Sequence, residues 1–320
     1  MSKYIVTGGA GFIGSNIVAA LNARGEEDIL VVDILGKDEK WKNLVGLKYA
    51  DYMEGDAFRL AVQQDALDKV SAVFHMGACS ATTEKDASYL VDNNYRLTRE
   101  LCEWSLHNGA RFVYASSGAT YGDGARGYSD DDDVTPALEP LNMYGYSKHM
   151  FDLWALRNGV LNEIVGLKFF NVYGPREDHK GDMRSVVHKA FGQIQEEGVV
   201  KLFKSYNADY KDGEQVRDFV YVKDAVDVCL WFADNRRASG LFNVGTGTSR
   251  TWLDLARAVF AALKREPQIE FIEMPITLRG KYQYHTEADI SKLRGVGYNA
   301  PMTTLEDGVR DYVQSWLSVG

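Results

Sequence analysis

Tyr144 and Lys148 stand four residues apart in Tyr144-Gly145-Tyr146-Ser147-Lys148, which puts both side chains on one face of a helix. A phenol with a pKa of about 10 is a poor base at neutral pH. A neighbouring ammonium favours the phenolate, so the pair suits general acid–base work. Tyr146 has no such partner, because Met150 follows it by four. Upstream, Arg111-Phe112-Val113-Tyr114-Ala115 reads as a strand that ends in Ser116-Ser117. The Ser117 hydroxyl can hydrogen-bond a reacting oxygen while Tyr144 moves its proton, and Lys148 can also hold a nicotinamide ribose. A Tyr–Lys pair alone is equally what a chance pair on a helix surface looks like.

A second motif supplies the context. Tyr4-Ile5-Val6-Thr7 runs straight into Gly8-Gly9-Ala10-Gly11-Phe12-Ile13-Gly14, and apolar residues then recur with helical spacing at Ile17, Val18 and Leu21. Such a turn gathers open backbone N–H groups and the positive end of a helix dipole, ready for a pyrophosphate. Gly8, Gly11 and Gly14 divide the work: a tight turn, close approach to phosphate, and close helix–strand packing. A second strand, Ile29-Leu30-Val31-Val32, ends in Asp33, about 20 residues on, where a ribose-binding carboxylate is expected. The chain is expected to bind a dinucleotide. By the simple rule Asp33 selects NAD; Lys37 or Lys40 in the next loop would instead neutralise the 2′-phosphate of NADP.

Composition narrows the class. The chain has 320 residues, 45% hydrophobic, enough for one large domain or two medium ones. No stretch approaches the roughly 20 apolar residues of a membrane span, and no export leader is recognised. A net charge of -9 argues against a nucleic-acid surface. Cys79, Cys102 and Cys229 are few, odd in number and scattered, which suits a reducing cytoplasm rather than a disulfide framework or zinc site. The six histidines lack metal-ligand spacing, so no metal is expected.

Strand and helix patterns alternate through the first half. Ala72-Val73-Phe74-His75 reads as a strand, 93–107 and 144–156 as helices, and 164–170 as a further strand. This alternation predicts a parallel sheet covered by helices on both faces, with ligands beyond the carboxyl ends of its strands. After Asn171 the pattern loosens into helices near 183–196, 222–233 and 251–263, with short strands at 200–203, 242–244 and 270–272. Residues 1–170, with a returning segment at about 217–247, are expected to hold the dinucleotide. Residues 171–216 and 248–320 are expected to form a smaller substrate domain. The acidic run at 130–133 reads as a solvated loop.

The glycine loop, the strand-end Ser-Ser and the Tyr–Lys pair resemble the extended short-chain dehydrogenase/reductase superfamily. Within it the chain is similar to the ADP-L-glycero-D-manno-heptose 6-epimerases. That closer resemblance rests on His75-Met76-Gly77-Ala78-Cys79-Ser80, Asp92-Asn93-Asn94-Tyr95, Asn142 to Lys148, the run from Phe170 through Lys180 to Gly181, Arg217 to Val222, and Gly280-Lys281-Tyr282-Gln283. It implies an α/β fold, a Rossmann-type doubly wound parallel sheet with a smaller α/β substrate-binding domain. It also implies inversion of C6″ of an ADP-heptose through a transient ketone, with NADP retained, for lipopolysaccharide inner-core supply, in a homo-oligomer, a pentamer.

Residue roles follow from the same resemblance. Phe12, Ile13, Asp33, Ile34 and Lys40 would hold the adenosine end of the cofactor. Met76, Gly77, Ala78, Cys79, Ser80 and Asn93 would line the path to the nicotinamide, with Lys148, Val172 and Lys180 beside it. Ser117, Asn171, Asp182, Lys189, Phe203, Lys204, Ser205, Tyr206, Arg217 and Tyr282 would grip the nucleotide-sugar. Tyr144 and Lys180 would serve opposite faces of the ketone. Gly55 replaces a lysine common near the adenosine phosphate, Asp182 a serine and Lys189 a histidine, and 207–215 is longer than usual; Asp33 and Gly55 keep NAD open. A dehydratase would carry an Asp-Glu pair where this chain has Gly118-Ala119. A UDP-sugar epimerase, a net dehydrogenase and a non-catalytic NADP sensor are the remaining alternatives. Cofactor consumption distinguishes the dehydrogenase.

Overall fold

The computed structural model describes residues 3–279 and 282–319; Gly280 and Lys281 of the last motif lie outside them. Seven parallel strands form the central sheet: β1 (Tyr4–Thr7), β2 (Ile29–Asp33), β3 (Asp51–Glu54), β4 (Ala72–His75), β5 (Arg111–Ser117), β6 (Val165–Phe169) and β11 (Gly240–Val244), in the order β11-β6-β5-β4-β1-β2-β3. Except at β3 these strands are almost wholly buried. That is why their sequences are continuous apolar runs rather than alternating ones. The order reverses between β1 and β4, so the carboxyl ends diverge there and open a crevice.

Side chains alternate between the two faces of the sheet. Val6, Val31, Phe74, Val113 and Leu167 pack with α1 (Phe12–Ala23) and, further along the chain, α7 (Val222–Asp234) and α8 (Trp252–Ala262). Ile5, Leu30, Val73, Phe112 and Tyr114 pack against α2 (Gly55–Gln63), α4 (Leu97–His107) and α5 (Met143–Arg157). The helix read at 93–107 begins earlier, with α3 (Ala87–Leu90) and one wide π turn, Val91–Arg96, before α4. β3 and α2 have no counterpart in the sequence reading, because an edge strand reading Asp-Tyr-Met-Glu carries no apolar run.

Beyond β6, β7 (Asn171–Tyr173) pairs with β10 (Phe219–Tyr221), and β8 (Val200–Phe203) with β13 (Ile269–Ile272). β9 (Val216–Arg217) pairs antiparallel with β12 (Arg250–Thr251). The helix α6 (Val186–Glu196) is capped by Ser185, and α8 by a reciprocal Thr251–Asp254 box. The acidic run departs from expectation. Asp130 is buried and accepts the Asn243 N–H at 2.6 Å, and burial pushes its carboxyl up to about 6. Only Asp131, Asp132 and Asp133 are exposed. Among the described residues, no helix is long and apolar enough to cross a membrane.

The β1–α1 turn is tightly constrained by packing. Gly8 has φ +64°, and a β-carbon there would fall 2.7 Å from the Gly77 nitrogen; one on Gly14 would fall 2.0 Å from the Gly8 carbonyl oxygen. Gly14→Ala should therefore push α1 off the turn, destabilising the fold by roughly 1–3 kcal/mol and abolishing dinucleotide retention. Thermal unfolding and cofactor release on denaturation measure both effects. An unchanged melting curve with cofactor retained would contradict this packing.

Candidate active site

At the crevice between β1 and β4 lies a cavity of about 650 Å³. Its floor is the glycine turn, with Gly8, Gly11, Phe12, Ile13 and Gly14. Gly11 caps α1 without a side chain, so the first-turn amides lack a protein cap and face the cavity. The missing β-carbons and these amides fit a pyrophosphate. Asp33 sits at one end, almost fully buried, with its carboxylate already engaged. It accepts from the N–H groups of Ala10 at 2.8 Å and Ile34 at 2.7 Å, and pairs with Lys40 at 2.9 Å. Lys40 thus stands at the carboxylate where a ribose is expected, whereas Lys37 lies outside the cavity wall.

Ser117, Tyr144 and Lys148 line the middle of the cavity with Met76, Gly77, Ala78 and Ser80. Asn142 caps α5 by accepting the Gly145 N–H at 2.8 Å, which fixes the turn carrying Tyr144. Lys148 is buried, and desolvation lowers its ammonium to about 8, with Asp152 and Cys79 opposing. Tyr144 moves against expectation. Desolvation raises its phenol, the Ser117 hydroxyl partly offsets this, and Lys148 does not lower it.

Two further groups were not read from the sequence. Asn94, on the π turn, accepts the Cys79 N–H at 2.9 Å and donates to the Cys79 carbonyl at 3.0 Å and the Ser147 hydroxyl at 3.0 Å. It ties the end of β4 to α5 between Tyr144 and Lys148. Asn93 instead donates to the Asn94 side-chain oxygen at 3.1 Å, and neither it nor Cys79 is on the cavity wall. A doubled Asn after an acid was the visible signal, but the π turn decides which one points inward. His75 is buried and held neutral, burial driving it down to about 3 with Lys148 adding to the effect.

The segment Asp178–Met183 closes the opposite wall, bringing His179 and Lys180 to the cavity beside Asn171 and Val172. Lys180 is mostly covered. Its ammonium lies 4.8 Å from the Phe12 ring centroid and 3.9 Å from the buried Glu177 carboxylate. Burial lowers Lys180, while Glu177 opposes the shift. Asp182 and Lys189 are exposed and bond to each other, Lys189 donating to the Asp182 carbonyl at 2.6 Å. Neither they nor the exposed Ile34 line the cavity.

Arg217 occupies a second cluster, joined to the first through Trp252 and Phe219. Its guanidinium is buried 5.1 Å from the Tyr282 ring centroid and 5.5 Å from that of Trp252, and among the described residues it donates only to the backbone carbonyls of Val216 and Gln283. Among the described residues no carboxylate pairs with it. Desolvation lowers it, with Tyr282, Tyr128 and Tyr210 opposing. Trp252 donates to the Tyr282 hydroxyl at 2.8 Å. Phe203 ends β8, and Lys204 and Tyr206 bond to Glu273 at the outer rim. Ser205 accepts the Asn207 N–H and donates to the Asn207 carbonyl. A buried guanidinium without an acid, ringed by aromatics, can take an anion attached to a planar base.

Residues 4–245 match the NAD dependent epimerase/dehydratase family. The chain is 59% identical to the ADP-L-glycero-D-manno-heptose-6-epimerase of Nitratidesulfovibrio vulgaris, over 98% of each chain. The chain belongs to this epimerase family. The Helicobacter pylori ADP-L-glycero-D-manno-heptose-6-epimerase superposes with a TM-score of 0.83 at 29% identity, covering 98% of this chain and 96% of that one. The Thermus thermophilus UDP-glucose 4-epimerase in complex with NAD gives 0.76 at 26% identity over 99% of each. The epimerase family and its doubly wound sheet agree with the sequence reading.

If Arg217 is an anion anchor, Arg217→Ala should weaken ADP binding by roughly 1.5–3 kcal/mol, the range for a hydrogen bond to a charged group. Calorimetric titration of ADP into protein saturated with nicotinamide cofactor tests this. Unchanged affinity would reduce the guanidinium to a structural contact.

Proposed function

We propose that this chain is an isomerase that inverts C6″ of ADP-D-glycero-D-manno-heptose to give ADP-L-glycero-D-manno-heptose, for the heptose of the lipopolysaccharide inner core. The observation that carries this reading is 59% identity along nearly the full length to an epimerase of that name, with Tyr144, Ser117, Lys148 and Lys180 all lining one cavity. The C6″ hydrogen is not acidic, so simple deprotonation of carbon would fail. NADP, when bound, supplies reversible hydride acceptance, so turnover needs no net oxidant. The choice of NADP over NAD is supported by Lys40, which can swing from Asp33 to a 2′-phosphate; Asp33, already bonded, is the group favouring NAD.

The chain's own groups manage orientation and protons. Ser117 hydrogen-bonds the oxygen at C6″, and Tyr144 exchanges its proton. Lys148 holds the nicotinamide ribose. Lys180, on the facing wall and lowered by burial, exchanges the proton when the other face is presented. Arg217 and Tyr282 take the ADP end. Residues 1–170 and 217–247 then serve mainly the cofactor, and 171–216 and 248–320 mainly the nucleotide-sugar. We also infer a homo-oligomer working in the cytoplasm.

Tyr144→Phe and Lys180→Met should each lower epimerisation by about 10²–10⁴-fold, the usual loss for a general acid–base group, while nucleotide-sugar binding persists. Rates by product separation and binding by calorimetry distinguish chemistry from affinity. Near wild-type turnover by Lys180→Met would remove it from the reaction. The mass of nucleotide released on denaturation should include the third phosphate of NADP.

A further inference from the structure

His179 lines the cavity, yet neither the proton chemistry nor the grip on the nucleotide-sugar uses it. The loop that carries it is fastened to the glycine turn and its surroundings by two asparagines. Asn16 of α1 donates to the Pro175 carbonyl at 3.0 Å. Asn43 is buried near the end of a short tight helix, Glu39–Leu44. Its amide nitrogen donates to the Ala10 carbonyl at 2.9 Å and to the Arg176 carbonyl at 3.0 Å. Arg176 donates back to the Asn43 carbonyl, and its own backbone is held at φ +74°, which residues with a β-carbon rarely adopt. Such strain persists only where the surroundings over-determine it.

The same Asn43 nitrogen lies 3.1 Å from His179 Nδ1. An amide NH2 group only donates, so the contact requires an unprotonated Nδ1 and places the ring proton on Nε2. Flipping the Asn43 amide would turn its oxygen onto two backbone carbonyls, so the orientation is fixed. Nε2, across the ring, has no hydrogen-bond partner among the described residues and is not sealed from the cavity. Ala10 donates its N–H to Asp33, and Lys40 stands three residues before Asn43, so His179 lies towards the Asp33 end of the cavity. We propose that His179 is a cofactor-binding residue whose Nε2–H donates to a phosphate oxygen of the dinucleotide, at the 2′-phosphate or the pyrophosphate. Asn43 is the positioning residue that fixes its tautomer. A neutral donor suits the place, because it bonds an anion without adding a further cation beside Lys40 and Lys180. Burial lowers the His179 imidazole, Lys40 and Lys180 add to the effect, and Asp38 and Asp33 oppose it. The proposal rests on the reading of this cavity as a dinucleotide site.

Two substitutions separate the ring's two nitrogens. His179→Asn keeps an acceptor near the Nδ1 position and loses the distal donor, whereas His179→Gln keeps a donor near Nε2 and loses the acceptor. Calorimetric titration of NADP and of NAD into the full-length chain, freed of nucleotide, measures both. His179→Asn should weaken binding by about tenfold, the loss of one hydrogen bond to a charged group, while His179→Gln stays within about threefold of wild type. A loss confined to NADP assigns the 2′-phosphate, and an equal loss for NAD assigns the pyrophosphate. Unchanged affinity in His179→Asn, or equal losses in the two variants, would overturn the proposal. Failure of the wild type to take up either dinucleotide would instead overturn the cofactor reading, and the proposal with it. Histidine ring ¹⁵N NMR of the wild type, assigned with His179→Gln, should show the proton on Nε2 before any nucleotide is added. A proton on Nδ1 would overturn the assignment independently of binding.

Discussion

Thr7, His75 and Thr98 form a relay that holds β1, β4 and α4 together beneath the cavity. Thr98 donates its hydroxyl to the Asn94 carbonyl at 2.6 Å, so it accepts from His75 Nε2 at 2.9 Å. His75 Nδ1 is then an acceptor, taking the Thr7 hydroxyl at 2.7 Å, and Thr7 accepts the Gly77 N–H at 3.1 Å. Each proton has one direction, and the imidazole has one tautomer. A satisfied network of this kind rigidifies a buried site. Through Asn94 it continues to Cys79 and Ser147, and Ser147 donates to the Tyr144 carbonyl at 2.7 Å. Both the floor under a pyrophosphate and the helix carrying Tyr144 and Lys148 thus depend on the same join.

Charge is arranged against the overall balance. The chain carries a net charge of -9, yet Lys40, Lys148, Lys180 and Arg184 line the cavity, with Arg217 just behind Trp252. Two anionic ligands, a dinucleotide and an ADP-sugar, would account for that concentration of cations. Burial strips water from these groups, and bound phosphates would restore the favourable environment they lack without ligands. Asp33 and Asp38 are the acids on the cavity wall, and the three hydrogen-bonding partners of Asp33 leave little of it to repel a phosphate.

Most of the sheet was legible because buried parallel strands are written as unbroken apolar runs. β3 was not, since an edge strand half open to solvent has no such run. The Tyr144–Lys148 pair was found by spacing alone, but its electrostatics were not. Spacing tells which groups are neighbours; desolvation, which sets the direction at Tyr144, depends on everything packed around them. Asp130 shows the same gap, one carboxyl of an acidic run turned inward onto an Asn243 N–H. Arg217 was identifiable by type, whereas the absence of an acid beside it among the described residues emerges only from the packing of β9 against β12 and α8.

The central claim is that C6″ inverts by loss and return of its own hydrogen within one enclosed site. Turnover of ADP-D-glycero-D-manno-heptose in heavy water, read by mass spectrometry and NMR of the product, tests it most directly. The account predicts inverted product with its original hydrogen at C6″ and no net change in nicotinamide absorbance. Deuterium at C6″ in each molecule inverted, or reduced cofactor accumulating in step with substrate, would contradict it.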